Sequence, residues 1–60
     1  KYNDFYAELT AAGCYVARHG AEHDIWFSTI TRQKFSLSRH GSKEVPKGLE
    51  RRARKVLGVL

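Results

Sequence analysis

Apolar residues recur at two periods along this chain, and the changes between them mark out its predicted elements. Over residues 3–12, Phe5, Leu9 and Ala12, joined by Tyr2 and Tyr6, fall at helical spacing and make one stripe. Asn3 is the expected N-cap, Asp4 suits the positive end of the helix dipole, and Gly13 suits the position just past the last turn. The spacing then shortens to two. Residues 14–18, Cys14-Tyr15-Val16-Ala17-Arg18, are rich in strand formers and are followed by the turn His19-Gly20-Ala21.

Residues 22–29 alternate, with His23, Ile25 and Phe27 on one side and Glu22, Asp24, Trp26 and Ser28 on the other. The second set, with three polar members, is the expected solvent side. That leaves Trp26 free to stack on a base or anchor a partner, or else packed at the sheet edge. After a loop at Thr31-Arg32, residues 33–38 form a third strand with Phe35 and Leu37 inward. Turns this short favour antiparallel pairing. A polar loop over 39–46 leads through Pro46 into a last helix over 47–57, where Leu49, Ala53, Val56 and Leu57 keep helical spacing up to Gly58.

The predicted class is therefore α+β, in the order α-β-β-β-α, with a three-stranded antiparallel sheet carrying both helices on one face. Sixty residues make one domain, residues 1–60. A chain of this size buries only about 60% of the surface its unfolded form exposes, so its core is thin. Any chemistry must sit on an open surface or shallow groove. The chain opens on Lys1 and not on Met, so a few leading residues are expected to be missing.

Charge narrows the function. Eleven Lys and Arg against six Asp and Glu give a formal net charge of +5. A field of that sign attracts polyanions, nucleic acid first. Neither helix combines a broad apolar face with interfacial aromatic anchors, so a membrane partner is not expected. A basic surface with no specific ligand is the lesser alternative that charge alone leaves open. Cys14 is the only cysteine, which excludes an internal disulfide and agrees with a reducing, cytoplasmic location. No secretory h-region or membrane-length apolar run occurs.

The last helix and the loop before it carry Lys43, Lys47, Arg51, Arg52, Arg54 and Lys55, opposed only by Glu44 and Glu50. Arg51 and Lys55 share a face at i, i+4. Such a row can meet successive phosphates of a strand, or an acidic partner protein. His23 is the candidate for chemistry. It opens a strand just after a glycine turn, where the sheet holds its backbone and solvent can reach its side chain. An imidazole exchanges protons near neutral pH. RNA supplies its own nucleophile in the 2′-OH, so cleavage needs one group to withdraw a proton and another to return one. Spacing alone does not separate a catalytic from a structural histidine here. His19 and His40 are further proton carriers or plain exposed loop histidines. A zinc site from Cys14, His19, His23 and His40 is not expected, since the set has one thiolate and no ligand-pair spacing. No cofactor is expected.

The segments Gly20-Ala21-Glu22-His23-Asp24-Ile25-Trp26 and Arg39-His40-Gly41-Ser42-Lys43-Glu44-Val45-Pro46-Lys47-Gly48 resemble those of HicA-type toxins, as does the closing stretch from Leu49 to Val59. The similarity runs over nearly the whole chain, with both motifs in order and on matching elements. It implies a fold like that of a double-stranded-RNA-binding domain. It also implies a metal-independent endoribonuclease that cuts mRNA and blocks translation, neutralised by a cognate HicB-type antitoxin encoded beside it. By that resemblance His23 is the catalytic histidine, Gly20 the turn glycine near the phosphate, and His40 and Lys43 belong to the loop before the last helix. Lys47, Arg51, Arg52 and Lys55 are the expected RNA contacts. Members commonly carry Gly, Ser or Lys just before the histidine, where this chain has Glu22. The alternative function on the same fold is a non-catalytic module that binds duplex RNA.

Overall fold

A computed structural model describes residues 1–60. The order is α1 (Tyr2–Ala11), β1 (Cys14–His19), β2 (His23–Ser28), β3 (Lys34–Ser38) and α2 (Lys47–Leu57), with the strands in the order β1-β2-β3 and both pairs antiparallel. The class and topology are those predicted. No helix is long and apolar enough to cross a membrane.

Helix α1 starts one residue earlier than its sequence suggests, and Asn3 lies inside its first turn. Lys1 is the N-cap, its carbonyl accepting from the N–H groups of Asp4 and Phe5, and the loop over residues 39–46 completes the cap. Tyr2 N–H donates to the Lys43 carbonyl at 3.0 Å and Asn3 N–H to that of Gly41 at 2.9 Å. Two of the helix's unpaired donors are thus met by a distant segment, which docks that loop against α1. The other boundary residues behave as expected. Gly13 follows α1 at φ +100°, and Gly58 closes α2 at φ +71°, a left-handed conformation that glycine adopts without steric cost.

The core lies between the helices and one face of the sheet. It joins Tyr2, Phe5 and Leu9 of α1, Cys14, Trp26 and Leu37 of the strands, Ala53 and Leu57 of α2, and Val59. Here the structure corrects the predicted facing of β2. Trp26 and Ser28 point in, towards the helices, whereas His23, Ile25 and Phe27 lie on the open face. Trp26 is stacked on Tyr6 with ring centroids 5.5 Å apart and planes 15° apart. Alternation defines two sets of side chains but not which is inside. Trp26 decides it, as the largest apolar surface available to fill a thin core. Ser28 is tolerated inside because its hydroxyl donates to the Leu57 carbonyl at 2.6 Å.

Candidate active site

The β1–β2 hairpin departs from regular pairing at one place. Val16 faces Trp26, but Arg18 faces Ile25, so Ala17 is an extra residue in β1. This bulge moves Arg18 onto the open face and sets His19 opposite Asp24. The hairpin then closes through Gly20, whose N–H donates to the His23 carbonyl at 2.8 Å. A Cβ at residue 20 would lie 2.5 Å from that same oxygen. Gly20 is therefore required by the close approach of the backbone that carries His23.

His23 is exposed at the start of β2, opposite Ser38 of β3. Together with Arg18, His19, Gly20, Ala21, Glu22 and Ile25 it lines a shallow groove of about 570 Å³ at the hairpin end of the sheet. The groove thus joins an imidazole on a strand to a guanidinium on its neighbour. These groups can, respectively, exchange a proton and hold an anionic oxygen.

Behind the hairpin, Asp24 ties three segments together. Its Oδ1 accepts from Arg39 Nε at 2.8 Å and lies 3.1 Å from His19 Nδ1. The Asp24 carboxyl is held below its usual pKa, first by the hydrogen bond from Arg39 and then, against some desolvation, by His19. Arg39 N–H also donates to the Glu22 carbonyl at 3.2 Å, and Tyr6 donates its hydroxyl to the Ser38 carbonyl. Arg39 thereby ties Glu22 and Asp24, the residues on either side of His23, to the end of β3, and Tyr6 ties that end of β3 to α1.

A family model described as HicA toxin of bacterial toxin-antitoxin matches residues 2–59. The chain belongs to the HicA toxin family. It is the toxin of a toxin–antitoxin system, and such a toxin has a cognate antitoxin as partner. Neither a curated protein nor a solved structure matches it at a significant level.

In this toxin the residues singled out from sequence fall into three places. Gly20 and His23 share the hairpin groove. His40 and Lys43 are exposed on the loop that starts where β3 ends, beside His23, and that caps α1. Arg51, Arg52 and Lys55 are exposed on α2, across the helix layer from the open sheet face. Helix α2 runs away from the hairpin, since the Val56 and Leu57 carbonyls meet Thr31 and Ser28 at the opposite end of the sheet. Lys47 lines a different groove, together with Asp4, Glu8, Glu44 and Glu50. None of Lys43, Lys47, Arg51, Arg52 and Lys55 lines the groove that holds His23.

Arg54, counted in the basic row, serves the fold. It donates to Glu8 and, at 2.9 Å, to Glu50, and its guanidinium lies 5.1 Å from the Phe5 ring centroid. The Glu8 carboxyl is held below its usual pKa by the hydrogen bond from Arg54. Cys14 is buried in the core at the opposite end of β1 from His19. The residue that sequence reasoning missed is Arg18. Strict alternation would set it on the helix side, and nothing in Tyr15-Val16-Ala17-Arg18 announces the bulge.

Proposed function

We propose that this toxin is a metal-independent endoribonuclease that cuts mRNA, with His23 moving the proton and Arg18 holding the scissile phosphate. The observation that carries this reading is the shared groove of Arg18 and His23 at the anchored end of the hairpin. In the reaction the imidazole withdraws the proton of a 2′-OH. The freed oxygen attacks the adjacent phosphorus, and the bond to the 5′ oxygen breaks as that oxygen takes up a proton. The products are a 2′,3′-cyclic phosphate and a 5′-hydroxyl end, so the chemistry balances without water or a redox partner. Arg18 offers charge-assisted hydrogen bonds to the phosphoryl oxygens as negative charge builds on them.

Gly20 keeps the hairpin tight enough to hold His23 in place. Lys43, Lys47, Arg51, Arg52 and Lys55 contribute the long-range field that draws the polyanion in, at distances where salt screens them, and His40 offers the strand a hydrogen-bonding side chain on the same loop as Lys43. Cutting mRNA halts translation in the cytoplasm, and a HicB-type antitoxin encoded beside the toxin restores it by covering the groove.

The test is degradation of single-stranded RNA by the purified chain in EDTA. His23→Ala should abolish cleavage while the far-ultraviolet circular dichroism stays unchanged. Full-rate cleavage by His23→Ala would sink the assignment. Tight duplex binding with no cleavage at all would favour the non-catalytic module.

A further inference from the structure

The face of the sheet turned away from the helices has no covering element. Three rows of strand residues make it up. Tyr15, Phe27 and Lys34 lie across its far end, Arg18, Ile25 and Ser36 across its middle, and His23 with Ser38 at the hairpin end. Tyr15 is 52% exposed and its ring centroid is 5.5 Å from that of Phe27. The two rings and Ile25 thus form a small apolar strip, flanked by Arg18 on one edge strand and Lys34 on the other. No strand residue on this face carries a carboxylate; Glu22 lies beyond it, at the hairpin corner.

We infer that this open face is a binding track for single-stranded RNA, with a base stacked on the Tyr15–Phe27 pair and phosphates along Arg18 and Lys34. This rests on the nuclease reading above and adds to it a binding surface and the direction of the strand across the sheet. An exposed aromatic ring, here Tyr15 backed by the half-buried Phe27 on the adjacent strand, accepts any base through its π-face, and flanking cations meet the backbone. Bases in a duplex are already stacked on one another, so such a platform selects unpaired strands. Phe27 is four residues from His23 on the same side of β2, or about 13 Å along the strand. A strand with its base on the aromatic pair therefore runs along the sheet to bring a phosphate a few nucleotides away into the groove of Arg18 and His23. The arrangement of charge favours RNA over a protein occupant. Each exposed edge of the apolar strip is cationic, and none of the strand groups would pair with a partner's lysine or arginine.

Binding can be measured apart from turnover. The full chain carrying His23→Ala is titrated against a fluorescent single-stranded RNA of mixed sequence and against the duplex of that RNA, by anisotropy. The single strand should bind at least tenfold more tightly than the duplex. Tyr15→Ala should weaken binding about tenfold and Tyr15→Leu similarly, whereas Tyr15→Phe should remain close to the parent. Lys34→Ala should lower the slope of log K against log salt by about 1. Both positions are exposed, and circular dichroism checks that the variants fold. Equal affinity for duplex, or unchanged binding by Tyr15→Ala, overturns the track. So does a Tyr15→Ala effect confined to the antitoxin, which would mark a protein-docking face. Cleavage that depends on His23 but is indifferent to Tyr15 and Lys34 leaves the nuclease standing and removes the track. Stacking-dependent binding by a wild-type chain that never cleaves does the reverse.

Discussion

The hydroxyl of Ser28 on β2 donates to the carbonyl of Leu57 on α2 at 2.6 Å, with no solvent access to the serine. It also accepts from the N–H groups of Ile30 at 3.1 Å and Thr31 at 3.3 Å. One side chain therefore satisfies the end of the last helix and the turn after β2 together. Ser28→Ala leaves the buried Leu57 carbonyl and the part-buried N–H groups of Ile30 and Thr31 short of a partner, which costs about 1–3 kcal/mol. In a domain of this size that lowers the melting temperature by several degrees. Ser36→Ala, on the open face of β3, should stay within about 0.5 kcal/mol. Thermal or urea unfolding of the two variants checks the difference.

Ser28 and Trp26 also show what the sequence could and could not tell. Helix α2 was legible at both ends, because Pro46 and Gly58 bracket an apolar repeat that only a helix satisfies. The facing of β2 was not. Both of its alternating sets contain a large aromatic, Trp26 in one and Phe27 in the other, and the choice depends on what Tyr6 offers across the core. The hairpin groove was half legible. Gly20 and His23 are neighbours in sequence, whereas Arg18 joins them only through a bulge. The Asp24–Arg39 bond spans fifteen residues and has no local signature. The pairing of Arg54 was hidden for a related reason, since one of the acids that occupy it comes from α1.

Trp26→Ala should be among the most damaging changes in the chain. It removes the ring stacked on Tyr6 and opens the centre of a thin core, at a cost of about 3–5 kcal/mol. Small domains have little more than that in reserve, so the variant should be largely unfolded at 37 °C. In the parent, the emission of this single tryptophan should be blue-shifted and unmoved by RNA, because the ring faces the helices. Fluorescence spectra with and without an oligonucleotide decide the point. Quenching by RNA would contradict the observed facing of β2.

Gly20→Ala should separate activity from stability. The added methyl would sit 2.5 Å from the His23 carbonyl, so the hairpin must open to admit it. The strand pairing beyond the turn can remain, and the loss of stability should stay near 1–2 kcal/mol. Under the proposed mechanism, displacing the backbone that carries His23 by about 1 Å can cost a factor of about 100 in rate. Cleavage rate and melting temperature, measured on the same preparation, should therefore fall very unequally. Gly48→Ala, with open space around its Cα, serves as the control.

Acid should loosen the same end of the molecule through Asp24. Its carboxyl is held below the usual value, chiefly by Arg39, so the unfolded chain takes up a proton at higher pH than the folded one does. The stabilisation from this group is complete above the ordinary aspartate pKa of about 4 and is lost as the pH falls through the lowered folded value. Glu8, held down by Arg54, has the same sign and adds to the same acid limb. Stability should thus be flat with respect to these two groups from about pH 5 to 7 and fall below about pH 4. Asp24→Asn and Glu8→Gln should each lower stability at pH 7 and flatten that acid limb, most of all in combination. The two differ in what they do to the groove. Asp24→Asn releases Arg39 and His19 behind the hairpin and should depress cleavage at neutral pH, whereas Glu8→Gln, on the far side of α1, should leave cleavage at its parent rate. Urea midpoints from pH 3 to 7, paired with cleavage assays at pH 7, test both halves, and equal activity in the two variants would mean that the Asp24 anchor does not position His23.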